Sequence, residues 1–391
     1  MGNSLEGFSE TNESSIGGPI TEKETERGYM MKTRDDRYSS TGSETSEVKF
    51  AVSSMQGWRA TMEDTHILAP SLQIPTPGGY ETLHDHALFC VFDGHGGNFT
   101  SDFAGDNFLR IFTQRPEWEA YLSMSASERR EVPGVKLVKS ALFGAFFDID
   151  SELRTLYKKK IEMYGGSMNP KSMSRGRSRR KKVHAVEDER DSQSSSRQPS
   201  PQSMPKVVVD RSGSTAVMVL LTPDHIICCN AGDSRAILCR DGGAMPLSFD
   251  HKPNSPSELS RVKDAGGFVR YRRVDGDLAV SRGLGDFRFK MNDAMDPTLQ
   301  KVSIEPELIV CPRDDDNDEF LVLACDGIWD VMDNQECAEE IQNVMDSGES
   351  DMGNICENML DTCLKRNSRD NMTICVVTLP SGADGIKPIR D

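Results

Sequence analysis

Two apolar runs, far apart in the chain, each end at an Asp-Gly pair. Residues 87–92 lead into Asp93, and residues 320–325 lead into Asp326. An apolar run of this length that stops at a turn pair is typical of a buried β-strand. Each predicted strand therefore carries a carboxylate to its own end. Because the two strands come from distant parts of the chain, one shared core has to hold both, which favours a single large domain.

More acids stand in similar places. Asp370 immediately precedes a strand-like run over residues 371–379, and Glu63 and Asp64 follow Arg59 after a short interval. Hard divalent cations such as Mg²⁺ and Mn²⁺ bind to several carboxylate oxygens that are held rigidly. The pattern therefore predicts a metalloenzyme, although an Asp-Gly pair beside one strand is by itself more often a turn.

The composition of the chain changes along its length. Residues 1–47 are polar and lack apolar periodicity, so we expect a disordered leader. Residues 48–380 have the pattern of a compact catalytic domain. Within that domain, residues 158–206 are basic and Ser-rich, which predicts a disordered insertion. Residues 381–391 form a short C-terminal tail.

The compact region alternates short β-like runs with helical stretches, which indicates mixed α and β structure. Apolar residues recur at three- and four-residue intervals over 99–112 and again over 138–149, as in amphipathic helices. Tight turns at 230–233 and 241–243 join neighbouring strands. Such short connections favour antiparallel sheets.

Charge and cysteine usage exclude some classes of protein. The formal net charge is -16, which argues against a general nucleic-acid binder. The ten cysteines include no Cys-x-x-Cys pair, and no secretory leader is recognisable, so we expect reduced thiols in the cytoplasm or nucleus. No apolar stretch is long enough to span a bilayer. Gly2 suggests N-myristoylation, but Glu6 stands where that motif needs Ser or Thr.

A basic run occupies residues 175–182, inside the predicted insertion. Such a run can be a nuclear-import signal that binds an import receptor, or an anchor for an acidic partner. It can equally be a solvated linker. The sequence leaves these alternatives open.

Several motifs, in order from about Lys49 to Leu379, together resemble one enzyme family. They are Ser-Met-Gln-Gly-Trp-Arg-Ala-Thr-Met-Glu-Asp at 54–64, Asp-Gly-His-Gly-Gly at 93–97, Gly-Ser-Thr-Ala at 213–216, Gly-Asp-Ser-Arg at 232–235, Asp-His-Lys-Pro at 250–253, Leu-Ala-Val-Ser-Arg-Gly-Leu-Gly-Asp at 278–286, Cys-Asp-Gly-Ile-Trp-Asp at 325–330 and Asp-Asn-Met-Thr at 370–373. The family is that of the metal-dependent protein Ser/Thr phosphatases of the 2C type (PPM family). The resemblance implies an α+β fold in which two antiparallel β-sheets form a sandwich with helices on both outer faces.

The same resemblance implies two Mn²⁺ or Mg²⁺ ions per subunit. Asp93 would bridge the two ions. Asp326 and Asp370 would complete the first site, and the carbonyl oxygen of Gly94 would complete the second. Asp233 would help to bind a third, weaker ion. Glu63 and Asp64 would bind the metals through water.

The family also implies a reaction, the hydrolysis of phosphoserine and phosphothreonine by a hydroxide that bridges the two ions. Arg59 would bind the phosphate, because its planar guanidinium matches two phosphate oxygens. His95 would be the general acid that protonates the leaving oxygen. Thr215 and Arg282 match family positions near the site, and Arg282 precedes a segment expected to form a flap.

Two other classes of function compete with this hypothesis. One is a catalytically weak binding or regulatory module on the same fold, but the expected carboxylates are all present. The other is a two-metal nuclease or pyrophosphatase, but the residues that flank the acids match the phosphatases, and the negative charge disfavours nucleic-acid substrates. The leading prediction is therefore a monomeric phosphatase whose partners are phosphoprotein substrates.

Overall fold

The computed structural model describes residues 18–31, 47–76, 78–163 and 210–379. Within these ranges the chain forms short and long strands in the following order: β1 (Ile20–Met31), β2 (Glu47–Gly57), β3 (Thr65–Ala69), β4 (Leu72–Thr76), β5 (Gly79–Leu83), β6 (Ala87–Phe92), β7 (Gly94–His95), β8 (Gly213–Ser214), β9 (Ala216–Leu221), β10 (His225–Ala231), β11 (Arg235–Arg240), β12 (Gly243–Pro246), β13 (Val269–Arg270), β14 (Arg273–Val274), β15 (Leu284–Gly285), β16 (Glu307–Pro312), β17 (Asp318–Ala324) and β18 (Met372–Thr378).

The helices of the described residues are α1 (Phe99–Thr113), α2 (Pro116–Leu122), α3 (Ala126–Arg130), α4 (Val132–Met163), α5 (Pro256–Asp264), α6 (Asp326–Trp329), α7 (Asn334–Asp346) and α8 (Met352–Lys365). Both helices predicted from apolar periodicity are present, as α1 and α4. None of the helices in the described ranges is long and apolar enough to cross a membrane.

Two antiparallel sheets pack face to face. One has the strand order β1-β2-β18-β17-β11-β12, and the other has the order β16-β10-β9-β6-β3. Apolar side chains from both sheets fill the space between them, including those of Val52, Phe89, Val219, Leu238 and Leu321. Helices α7 and α8 cover the outer face of the first sheet, and α1 and α4 cover the second. The predicted sandwich with helices on both outer faces is confirmed.

The continuous apolar character of β6 follows from its position in this sandwich. All six of its residues are buried. Phe89 points into the layer between the sheets, whereas Phe92 packs under the outer helices. Because successive residues of a strand face opposite sides, burial of both sides requires an unbroken apolar run.

The prediction of a disordered leader over residues 1–47 is wrong for its middle part, which forms β1. This strand pairs antiparallel with β2 at the edge of the six-stranded sheet. Lys23 contacts Asp361 on α8 at 2.8 Å, and Arg27 contacts Asp351 at 2.8 Å. An edge strand held by backbone pairing and ion pairs needs few apolar residues, so its sequence lacks the pattern of a core strand.

The predicted start of the insertion, residue 158, is too early in the sequence. Helix α4 continues through residue 163, and Ile161 within it is only 3% exposed. The ammonium of Lys160 donates to the carboxylate of Asp210 at 3.0 Å, which brings the two sides of the insertion together. The remaining predictions for the leader, the basic run and the tail lie outside the described residues, over 1–17, 32–46, 164–209 and 380–391.

A small third sheet positions the loops at the end of the sandwich. Its order is β15-β8-β7, with β8 in the middle. Gly94 pairs with Ser214, and Gly213 pairs with both His95 and Gly285. Residues from three distant parts of the chain thereby meet beside the end of β6.

Candidate metal centre

Two strands from opposite sheets end at one place. Asp93 follows β6 of the five-stranded sheet, and Asp326 follows β17 of the six-stranded sheet. The ligand-capable atoms of Asp64, Asp93 and Cys325 all lie within 4.8 Å of one another. The sequence prediction that separate strands deliver acids to a shared site is therefore matched by their placement.

These acids affect one another strongly. Burial raises the pKa of Asp93 well above its usual value, and the charges of Asp326 and Asp64 raise it further. Burial also raises the pKa of Asp326, with added repulsion from Asp233 and Asp370. The pKa of Asp64 is raised to about 6, mainly by burial. Raised pKa values on several neighbouring carboxylates indicate a buried cluster with too little positive charge nearby.

Thr373 and Cys325 hold the Asp64 carboxylate in place. The hydroxyl of Thr373 donates to Asp64 at 2.7 Å. The backbone N–H of Thr373 donates to the sulfur of Cys325 at 3.1 Å. Burial raises the pKa of the Cys325 thiol well above its usual range. The thiol therefore stays protonated, and the oxygens of the carboxylates are the ligand atoms available to a hard cation.

Glu63 is fixed against the turn that follows β6. Its carboxylate accepts the Gly97 N–H at 3.1 Å and the Thr61 hydroxyl at 2.8 Å. Its own N–H donates to the side-chain oxygen of Asn371 at 3.0 Å. A Cβ atom at Gly94 would lie 2.1 Å from the carbonyl oxygen of Glu63. Only glycine therefore fits at position 94 of this turn.

Arg59 lies at the rim of the acid cluster. Its guanidinium forms an ion pair with Asp370, and 57% of its side chain is exposed. The Asp370 carboxylate also accepts the N–H of Asn371 at 2.8 Å. The predicted phosphate-binding residue and a predicted metal ligand are thus in direct contact.

Asp233 forms an ion pair with a lysine side chain. The ammonium of Lys252 donates to its carboxylate at 2.5 Å. Burial raises the pKa of Asp233, and the charge of Lys252 opposes that rise. Lys252 therefore neutralises the carboxylate to which a third, weaker metal site was assigned.

His95 also has a carboxylate partner. Its Nε2 lies 2.7 Å from Oδ2 of Asp286, whose side chain is fully buried. Burial disfavours the charged imidazole, but the Asp286 carboxylate outweighs that effect, so the pKa of His95 is raised. The predicted general acid is thus held by a carboxylate that directly follows β15 of the third sheet.

Thr215 and Arg282, the other residues predicted to lie near the site, bind to neighbouring parts of the protein. The N–H of Asp93 donates to the Thr215 hydroxyl at 3.3 Å, and that hydroxyl also contacts Ser234 at 2.6 Å. Arg282 instead binds the buried carboxylate of Glu258 at 2.7 Å. Thr215 therefore positions the end of β6, whereas Arg282 anchors the segment that follows α5.

Sequence reasoning did not assign roles to Lys252, Asp286 and Asn371. Each lies inside a motif that carried the family resemblance, so motif membership was an available signal. Their partners were not readable, because the pairs are distant in sequence. His95 and Asp286, for example, are 191 residues apart.

The donor set fits Mg²⁺ or Mn²⁺. Carboxylates converge around Asp93, and within the described ranges their cationic contacts are those of Arg59 and Lys252 at the edges. Burial and mutual repulsion together raise the pKa values of these acids, and divalent cations bound to the oxygens would offset both effects.

Comparison with known proteins identifies a family for this chain. The sequence profile of "Protein phosphatase 2C" matches residues 48–169 and 150–372. The chain is 34% identical to mouse "Protein phosphatase 1A" over 353 residues, which cover 90% of this chain and 76% of the mouse protein. It is 35% identical to rat "Protein phosphatase 1B" over 349 residues, which cover 89% and 74% of the two chains.

A solved structure has the same fold. The serine-threonine phosphatase 2C from Toxoplasma gondii superposes with a TM-score of 0.61 at 21% identity, and the match covers 91% of this chain and 99% of that one. The sandwich, the cluster of acids at its end and the sequence matches have one consistent explanation. The chain belongs to the protein phosphatase 2C family.

Proposed function

We propose that the chain is a metal-dependent phosphatase that hydrolyses phosphoserine and phosphothreonine in proteins. The observation that supports this most is the convergence of buried carboxylates on Asp93, with Arg59 paired to Asp370 and His95 in the turn that follows Asp93. This arrangement combines a binding site for cations, a phosphate-binding cation and a proton donor. Those are the requirements for cleaving a phosphate ester.

Two divalent cations at this site would supply the nucleophile at neutral pH and neutralise the phosphoryl oxygens. The residues that would hold them directly are Asp93, Asp326, Asp370 and the carbonyl of Gly94. Glu63 and Asp64 would act through water. Asp233 remains a candidate for a third ion, which would have to compete with Lys252.

Arg59 binds the phosphate of the substrate in this proposal. Its exposed guanidinium can donate two parallel hydrogen bonds to two phosphate oxygens, which a lysine ammonium cannot do in this forked geometry. To do so it exchanges part of its contact with Asp370 for the phosphate. His95 then protonates the leaving oxygen of the serine or threonine.

A panel of phosphopeptides tests the proposed activity. Phosphoserine, phosphothreonine and phosphotyrosine peptides are incubated with Mn²⁺, with Mg²⁺ or with EDTA. We expect turnover of the first two peptides with either metal and none in EDTA. Full activity in EDTA would exclude the metal-dependent reaction. Tight metal binding without turnover of any peptide would instead favour a binding module.

A further inference from the structure

His95, the proposed general acid, is in contact with the buried carboxylate of Asp286. Asp286 is 1% exposed, and its Oδ2 lies 2.7 Å from Nε2 of His95. The imidazole itself is 28% exposed. The ring is therefore held at Nε2 by a buried partner, while part of its surface remains open to solvent.

Asp286 does not use this carboxylate for local structure. It precedes the 3₁₀ turn Phe287–Phe289, yet its side chain makes no capping hydrogen bond. Its other oxygen, Oδ1, is buried and has no hydrogen-bond partner among the residues that the structure describes. Among the residues that the structure describes, the Asp286 carboxylate therefore forms its side-chain hydrogen bond with His95.

The backbone at Asp286 is also specialised. Its φ of 50° lies in the left-handed region, which costs free energy for a residue other than glycine. The N–H of Asp286 donates to the carbonyl of Ser212 at 3.1 Å, which fixes this conformation. The strained backbone turns the carboxylate towards His95.

Gly213 leaves the space for this contact. It lies on β8, between the strand that carries His95 and the strand that precedes Asp286. A Cβ atom at Gly213 would lie 2.1 Å from Oδ2 of Asp286 and 2.5 Å from Nε2 of His95. Any larger residue would push the two side chains apart.

We propose that Asp286 is a positioning residue that holds His95 through Nε2 and so presents Nδ1 to the leaving oxygen. This inference rests on the proposed role of His95 as general acid. As the bond between phosphorus and the leaving oxygen breaks, its electron pair stays on that oxygen, which takes the Nδ1 proton. The Nε2 proton remains hydrogen-bonded to Asp286, so the ring does not rotate or change tautomer during the step.

The test compares two leaving groups. A phosphoserine peptide releases an alkoxide that needs a proton, whereas p-nitrophenyl phosphate releases a phenolate that does not. Asp286→Asn keeps the shape, but its amide can donate as well as accept and no longer fixes the Nε2–H tautomer. We expect kcat to fall roughly 10- to 100-fold on the peptide and by less than about 3-fold on the aryl ester.

A double-mutant cycle separates this proposal from the general-acid assignment. His95→Gln should lose activity selectively on the peptide, and adding Asp286→Asn to it should cause little further loss. If His95→Gln affects both substrates equally, the general-acid role itself fails. If only His95→Gln is selective, or the losses of the two variants multiply, the positioning role of Asp286 is wrong.

Two further variants guard against a merely structural effect. Asp150→Asn removes a buried carboxylate that binds the N–H of Gly285 at 2.8 Å and the ammonium of Lys290 at 2.9 Å, without touching His95. It should lower the melting temperature but leave the ratio of the two rates unchanged. If Asp286→Asn does not fold, Gly213→Ala displaces the same pair. An unchanged ratio in a folded Gly213→Ala would overturn the proposal.

Discussion

Crowding of carboxylates around Asp93 should make the metal-free protein sensitive to pH. Burial and neighbouring charges raise the pKa values of Asp93 and Asp326 in the folded state. In the unfolded chain an aspartate titrates near about 3.9. The folded protein therefore binds more protons than the unfolded chain from about pH 4 up to the raised pKa. Its stability falls as pH rises through that window.

Asp326→Asn should consequently stabilise the protein in EDTA, because it removes one repelling charge. We expect a melting temperature higher by about 2–4 °C near pH 7.5, equivalent to ~1 kcal/mol. The gain should shrink as pH falls towards about 4. In excess Mn²⁺ the order should reverse, because the wild type binds the metal more tightly. The exposed Asp106→Asn is the control, and equal shifts in both variants would contradict the crowding argument.

Arg59 should act mainly on substrate binding, since phosphate is neutralised already in the ground state. Loss of hydrogen bonds to a charged group costs about 1.5–3 kcal/mol, so Arg59→Ala should raise KM for a phosphoserine peptide roughly 10- to 100-fold. Arg59→Lys should recover only part of this, because the fork is lost. Steady-state kinetics at saturating Mn²⁺ gives both parameters. A fall in kcat at constant KM would assign Arg59 to the transition state instead.

At the scale of elements, the sequence predicts strands best where both faces are buried. Strands β6 and β17 were readable because their apolar runs are continuous. Strand β1 was not, because it is an edge strand held by ion pairs such as Lys23–Asp361. The end of α4 was missed for a similar reason, since beyond Tyr157 only Ile161 of this helix is buried in the core.

The revised boundary of the insertion gives a prediction about modularity. Replacing residues 164–209 by a short Gly/Ser linker should leave peptide turnover unchanged and the melting temperature within about 2 °C, because Lys160 and Asp210 are already in contact. Starting the deletion at residue 158 should be destabilising. It removes the buried Ile161, and loss of a large buried side chain costs roughly 2–5 kcal/mol.

Calorimetry and turnover of the two deletion variants check this directly. Equal stability of both would show that the end of α4 contributes nothing to the core. A collapse of the shorter deletion would show that residues 164–209 contribute to the catalytic domain.

In the molecule as a whole, the position of the site could be predicted from the sequence, but the pairing of side chains within it could not. Acids at the ends of two buried strands could be expected to meet, and Asp93 and Asp326 do. The pairings of Lys252 with Asp233 and of His95 with Asp286 depend on how loops pack at the end of the sandwich. Such contacts have no periodic signal, because each partner comes from a different loop.

If the carboxylates around Asp93 form a catalytic metal centre, metal binding and turnover should be lost together when Asp93 is changed. Mn²⁺ binding and phosphoserine-peptide turnover should be measured on the same samples of wild type, Asp93→Asn and the surface control Asp106→Asn. We predict that wild type and the control bind two tight ions per chain, whereas Asp93→Asn loses at least one of them and nearly all turnover while remaining folded. Wild-type metal stoichiometry together with a wild-type rate in Asp93→Asn would show that Asp93 does not belong to a catalytic metal centre.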